Sequence, residues 1–386
     1  MSDGTLDVVD LDALLTDEER QIRDLAREWV RDRILPEVED WYERGEFPAR
    51  ELAKELGELG FFGMQLPGIG DLGAVAYGLV ELELEAGDSG LRSFVSVQSA
   101  LAMYAIHAFG SDEQKAYWLP RMTSGDAIGC FGLSEPDSGS DPGSMRTTAR
   151  RDGDDWILNG SKMWITNGGV SDVAVVWANT EDRIRGFLVP CDLPGFSAPD
   201  IHKKMSLRAS VTSELVMDDV RLPADAILPG VEGLRGPLSC LNEARYGIVW
   251  GVMGAARSCI QTALEYAKTR VQFDRPIASF QLTQKKLVDM TLELTKGTLL
   301  AYHLGRMKEA GTLRAEQVSV GKLNNTREAI AIARTSRGIL GANGITLEYP
   351  IMRHMTNLES VLTYEGTEEV HTLVIGAELT GIRAFT

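Results

Sequence analysis

The feature that most constrains this chain is a double change of hydrophobic period. Apolar residues recur at helical spacing from Ile22 to about residue 127. From 128 to 234 they fall into short alternating runs punctuated by Gly and Pro, and from Leu241 onward long helical patterns return. A strand-rich segment between two helical ones predicts an α+β chain, mainly α, with a β domain set between helical layers. At 386 residues the chain exceeds the size of a single core. The expected divisions are 1–127, 128–234 and 235–386, with a ligand site where the three meet.

Local signals place the elements. Thr16-Asp17-Glu18-Glu19 fits a capping box, and Ile22, Leu25, Ala26, Trp29 and Val30 form an apolar stripe that Pro36 ends. Helices are predicted over 48–59, over 75–86 with Leu79, Leu82 and Ala86 on one face, and over 92–107. Ser111 to Gln114 caps the next. Around Asn159-Gly160 the run 156–166 predicts two short strands joined by a tight turn; 172–178, 185–190 and 213–220 read as further strands. The stripe Ile248, Val252, Ala255, Ala256, Cys259 suits close helix packing, and 282–307 and 313–340 are two more long helices.

Composition excludes several functions. A net charge of −17 argues against nucleic-acid partners and anionic membranes, although His202-Lys203-Lys204 could meet a phosphate locally. The four cysteines and five histidines are scattered without metal-ligand spacing, so no metal is expected. Residues 1–19 are acidic and lack the features of a signal or transit peptide. No apolar run reaches about eighteen residues. The cytoplasm is the expected location.

Several stretches carry chemistry. Glu365 stands between Tyr364 and Gly366, before a helix that Thr367 can cap and whose buried face would be Val370, Leu373, Val374 and Ala377. With apolar neighbours such a carboxylate is a candidate for a raised pKa and proton transfer; the alternative is a surface glutamate favoured by the helix dipole. The loop 131–142, with Gly139 and hydroxyls at Ser134, Ser138 and Ser140, can hold a polar cofactor or form a plain surface loop. Trp164 and Thr166, two apart on a strand, would share a face able to stack on a flat heterocycle, or belong to the core. Arg270, Phe273 and Gln281 flank a basic, aromatic turn that suits a diphosphate and an adenine ring, or a salt-bridged helix end. Arg92 at a helix start opposes the dipole and calls for an anionic partner: Asp88, Glu85 or a ligand carboxylate.

In order along the chain, FGLSEPDSGSDP, LNGSKMWITNG, RVQFDRPIASFQ, GANGITLEY and YEGTEEVH resemble the acyl-CoA dehydrogenase flavoproteins over nearly the whole length, and glutaryl-CoA dehydrogenases most. The resemblance implies an N-terminal helical domain, a middle β-barrel or sandwich domain and a C-terminal four-helix bundle, assembled as a tetramer that binds FAD. Phe131, Leu133, Ser134, Gly139, Ser140, Trp164 and Thr166 would surround the flavin side. Arg270, Phe273, Gln281 and the Gly341 loop would reach the adenosine half of a neighbour's FAD, and Thr367 and Glu369 would also touch the cofactor. Ala342 replaces a usual glycine, and Gly338 a frequent polar side chain. Glu365 falls on the catalytic base, with its own backbone amide polarising the thioester.

Glu85, Arg92, Ser93 and Tyr364 match the dicarboxylate-binding subgroup, and Ser140 and Gly366 would also line the substrate. Tyr364 and Glu85 resemble the decarboxylating members. The implied reaction is oxidation of glutaryl-CoA with loss of CO2, electrons passing to an electron-transfer flavoprotein. Rival readings are an adipyl-CoA dehydrogenase or enoyl reductase without decarboxylation, an acyl-CoA oxidase, and a silent acyl-CoA-binding flavoprotein.

Overall fold

The computed structural model describes residues 6–384, so the first five residues of the acidic N-terminal stretch lie outside it. The N-terminal helices are α1 (Asp17–Trp29), α2 (Val38–Arg44), α3 (Ala49–Glu58), α4 (Ala74–Gly87), α5 (Ser89–Ser96), α6 (Tyr104–Phe109) and α7 (Asp112–Thr123). Both predicted capping boxes form: Thr16 and Glu19 exchange hydrogen bonds of 2.8 and 3.2 Å, Ser111 and Gln114 of 2.9 and 3.2 Å. α1 and α5 each run on into a π-helical stretch, Val30–Ile34 and Val97–Met103.

α4 departs from the one-faced helix predicted for it. Every residue of it except Ala86 is buried, including Glu81, Glu83 and Glu85. It is sandwiched between α1 and the long helix α8 (Arg235–Thr269), and its carboxylates face these neighbours rather than water. Glu83 lies between Arg27 and Arg257, each 2.8 Å from its Oε1. Burial alone would raise its carboxyl, but Arg257 and then Arg27 pull it down to about 2. Small residues let α8 approach: a side chain at Gly254 would overlap the Leu82 carbonyl oxygen, and one at Gly251 would overlap Glu85 Oε2.

The middle segment is one curled sheet of β1 (Gly129–Gly132), β2 (Thr148–Asp152), β3 (Asp155–Thr166), β4 (Val173–Asn179), β5 (Ile184–Pro190), β6 (Phe196–Ser197) and β7 (Thr212–Leu222). β4 pairs with β1 in parallel and β5 antiparallel, while β2, β3, β7 and β6 follow one another antiparallel. The hairpin predicted at Asn159-Gly160 does not form. β3 is a single strand, and its register against β7 shifts between Leu158 and Gly160, a bulge with Gly160 at φ 144°. Asn159 is held across the sheet, exchanging 2.9 Å hydrogen bonds with Asp219.

After α8 a two-stranded ribbon, β8 (Val271–Gln272) and β9 (Arg275–Pro276), turns through Phe273 and Asp274, both left-handed. The bundle is completed by α9 (Gln281–Glu309), α10 (Ala315–Leu340), α11 (Pro350–Thr363) and α12 (Glu368–Thr380). The apolar face predicted for α12 is only half-buried; of that helix His371 alone is buried. Among the described residues no helix is long and apolar enough to cross a membrane.

Candidate active site

Between α11 and α12 the chain makes a tight turn in which Glu365 takes φ 54° and Gly366 φ 98°. Thr367 caps α12, accepting from the Val370 N–H at 3.3 Å. A left-handed glutamate costs about 1–2 kcal/mol, so the turn needs external bracing. Lys322 from α10 supplies it, donating from Nζ to the carbonyls of Tyr364 and Gly366, 2.6 Å each. Arg245 from α8 donates from Nε to the Glu365 carbonyl at 2.7 Å. Glycine is required at 366 on two counts, its φ and the His371 ring, whose Nε2 would lie 2.9 Å from a Cβ there.

Glu365 is half-buried, and its Oε2 is shielded from solvent with no hydrogen-bond partner among the described residues. Burial raises its pKa, while Arg92, Lys322 and Arg245 draw it back. The same burial pushes Lys322 down to about 7, with Glu365 opposing. It pushes His371 down to about 3, helped by Lys322 and Arg245, so the imidazole is neutral. A desolvated carboxyl beside cations can exchange a proton near neutral pH. Among the described residues the Glu365 backbone N–H donates to no protein group.

Glu85, Arg92, Ser93 and Tyr364 meet beside it. Arg92 is 1% exposed. It donates from Nε to Glu85 Oε2 at 2.7 Å and from Nη2 to the Tyr364 hydroxyl. Ser93 Oγ lies 3.2 Å from that hydroxyl, and the guanidinium carbon 5.7 Å from the Tyr364 ring centroid. Burial opposes the charge on Arg92, yet Glu85 before all holds its pKa well above the ordinary value. Of the partners expected from sequence, Glu85 is the one used. Asp88 instead caps α5 at Gly90 and pairs with Arg353 and Asn357. Arg92 is therefore paired within the chain, but its Nη1 donates to no group among the described residues.

The residues expected at FAD fall into two groups. In the first, Phe131 and Leu133 are buried, Ser134 and Thr166 half-buried, and Gly139 and Ser140 exposed. Trp164 is 64% exposed. Its placement does not come from strand alternation as predicted: the register slips between Lys162 and Ile165, and Trp164 is left-handed at φ 65°. The loop is tied down from within, by Ser138 donating to the Asp141 carbonyl and by Glu135 accepting from the Arg146 and Thr147 amides and from buried Lys162.

In the second group Arg270, Phe273, Gln281 and Gly341 are all exposed, Phe273 to 88%. Gly341 needs its glycine, at φ 61°, whereas position 342 is not left-handed and accommodates alanine. A Cβ at Gly139, Gly338 or Gly341 would meet no atom within 4 Å. Thr367 is half-buried and Glu369 exposed. Open glycine-lined space, an outward-held indole and hydroxyls of intermediate exposure fit an extended cofactor with a flat heterocycle and a polar tail.

Lys322 and Arg245 carry no motif and reach the site from α10 and α8, so sequence spacing gives no sign of them; His371 closes the YEGTEEVH motif and Glu81 lies one turn before Glu85, but neither is singled out by its own spacing. The one available hint was a lysine inside the predicted long helix 313–340, where a buried cation is not expected.

Comparison with known proteins places the chain in a family. Family models match in three blocks: acyl-CoA dehydrogenase, N-terminal domain, over residues 16–126; middle domain, over 130–220; and C-terminal domain, over 232–380. The structure is similar to the crystal structure of glutaryl-CoA dehydrogenase from Mycobacterium smegmatis, at 68% identity, TM-score 0.98, covering 99% of both chains. It is also similar to a glutaryl-CoA dehydrogenase of the same organism in complex with FADH2, at 62% identity, TM-score 0.97 and the same coverage. The short-chain specific acyl-CoA dehydrogenase of Bos taurus mitochondria is 35% identical over 95% of this chain and 90% of that protein. The chain belongs to the acyl-CoA dehydrogenase family, and is an FAD-dependent oxidoreductase.

Proposed function

We propose that this enzyme oxidises a dicarboxylic acyl-CoA, glutaryl-CoA, between Cα and Cβ and releases CO2 to give crotonyl-CoA. The observation that carries the reading is Arg92: a buried guanidinium beside Glu365, fixed by Glu85 and Tyr364, with Nη1 unspent. Its fork suits bidentate capture of a carboxylate, and Ser93 adds a hydroxyl to the same end of the site. With the distal carboxylate held there, the acyl chain has one register and its α-carbon faces Glu365.

Glu365 takes the α-proton, and its unpartnered backbone N–H is available to the thioester oxygen, where negative charge develops. Residues around Trp164, and those around Phe273 of a neighbouring subunit, would hold FAD, which would supply the hydride acceptor. Loss of CO2 from the oxidised product leaves a dienolate, and Glu365 is placed to return the proton. Lys322 and Arg245 hold the turn and keep Glu365 ionisable.

The reading extends to division into domains at 1–127, 128–234 and 235–386, to electron-transfer flavoprotein as acceptor, and to a cytoplasmic homotetramer. The exposed Phe273, Leu282, Val288, Leu292 and Leu299 support the assembly, since they form apolar surface suited to a subunit interface. Anaerobic titration of the holoenzyme with glutaryl-, adipyl- and butyryl-CoA, together with measurement of CO2, tests the whole. Glutaryl-CoA is expected to bleach the flavin at the lowest concentration and to release CO2. Preference for adipyl-CoA without CO2 overturns the substrate, and equal response to butyryl-CoA overturns the dicarboxylate site.

A further inference from the structure

Glu81 is completely buried, and neither carboxylate oxygen has a hydrogen-bond partner among the described residues. It stands one helical turn before Glu85 on α4, so both carboxylates point the same way. Its Oε2 lies 4.0 Å from Arg92 Nε, the atom that Glu85 holds at 2.7 Å. Facing it are Tyr77 and Glu85 from α4, Arg92 from α5 and Glu365 from the turn before α12. α8 presents Gly247, where an added Cβ would sit 3.3 Å from both Glu81 Oε2 and the Tyr77 hydroxyl. Two glutamates thus share one guanidinium, in a place no solvent reaches.

We propose that Glu81 is a specificity-determining positioning residue: neutral, it leaves Arg92 available to the distal carboxylate of a substrate, and ionised, it competes for that guanidinium and repels the substrate tail. The proposal rests on the dicarboxylate reading above and adds to it a proton-dependent filter. If both glutamates were ionised against one arginine, the cluster would carry a net negative charge before an anionic substrate arrived. With Glu81 protonated, Arg92 and Glu85 balance and the tail can be accepted. Burial pushes the Glu81 carboxyl up to about 8, with Arg92 and Tyr77 opposing and Glu85 and Glu365 reinforcing the rise. The neutral form therefore prevails at pH 7 and is lost as the pH passes 8. Binding a dicarboxylic acyl-CoA stabilises the protonated form, so at pH 8.5 it takes up a proton.

The test is the ratio of kcat/KM for glutaryl-CoA to that for butyryl-CoA, measured on the holoenzyme from pH 7 to 9.5. Titration of Glu365 or Lys322 affects both substrates and cancels in the ratio. The ratio is expected to fall above pH 8, approaching about tenfold per unit, through KM rather than kcat. Glu81→Gln, a neutral isostere, is expected to flatten it. Should the variant fail to fold, calorimetry of glutaryl-CoA binding to the Glu365→Gln holoenzyme at pH 8.5, in two buffers of different ionisation enthalpy, reads the proton uptake directly. A ratio independent of pH, or one that falls equally in Glu81→Gln, or binding without proton uptake, overturns the proposal and leaves the dicarboxylate reading intact. That reading fails separately, if the wild-type enzyme shows no preference for glutaryl-CoA at pH 7.

Discussion

Arg92 donates from Nε to Glu85 across 2.7 Å, and neither side chain reaches solvent. On the proposed reading the pair is both a binding element and a structural one. Arg92→Met leaves Glu85 buried without its cation, at a cost of about 3–5 kcal/mol in stability, so loss of activity in that variant alone says little. In Arg92→Met with Glu85→Gln the buried charge is gone. There kcat/KM for glutaryl-CoA is expected to fall by about 10²-fold or more while butyryl-CoA changes by less than about threefold. Equal losses on the two substrates would remove the carboxylate role.

Glu365→Gln keeps the shape of the turn and removes the base. Substrate-induced bleaching of the flavin is expected to slow by about 10²–10⁴-fold while FAD stays bound, as the visible spectrum reports. A variant retaining a tenth of the rate would refute the assignment.

The raised Glu365 carboxyl sets the acid side of the rate profile. Only the ionised form accepts a proton, so kcat/KM for butyryl-CoA should fall as the pH drops through a value above the ordinary glutamate range of about 4.3. Because Lys322 favours the charged form, Lys322→Met is expected to move that limb to higher pH. It also releases two carbonyls of the turn, and should lower kcat by about 10-fold or more with little change in KM. An unmoved acid limb would show that Lys322 does no more than pack.

Glu83, between Arg257 and Arg27, should govern acid stability. Its folded value of about 2 lies below the ordinary value of about 4.3, so its contribution is complete above pH 4.3 and is lost as the pH falls towards 2. Glu83→Gln is expected to cost about 3–5 kcal/mol at pH 7, and the gap in Tm between variant and wild type should narrow below pH 4. A gap constant down to pH 3 would contradict it.

Much of this was legible in the chain itself, where the determining interactions are local. Thr16, Ser111 and Thr367 cap helices because their partners lie three residues away, and β4, β5 and β7 lie where strands are predicted. The failures have one cause, long-range partners. Asn159-Gly160 is a strong turn signal, but Asp219 on β7 draws it into a bulge. The glutamates of α4 look like a solvated face until Arg27, Arg92 and Arg257 arrive from three other elements. Glu365, Arg92 and Tyr364 were found through their motifs, whereas Lys322 and Glu81 are ordinary residues in ordinary helices that only the packing brings to the site.

The positive φ of Glu365 has an evolutionary corollary. Most substitutions at this position would inherit the backbone's unfavourable conformation, but glycine would not. Relief of about 1–2 kcal/mol roughly offsets the added freedom of the unfolded chain, about 0.4–1 kcal/mol. A glutamate codon becomes a glycine codon through a single base change. If Glu365 is the base as proposed, this single-base path away from catalysis leads to a well-folded thioester receptor rather than a misfolded chain, and descendants that have taken it should betray themselves by Tyr-Gly-Gly in place of Tyr364-Glu365-Gly366.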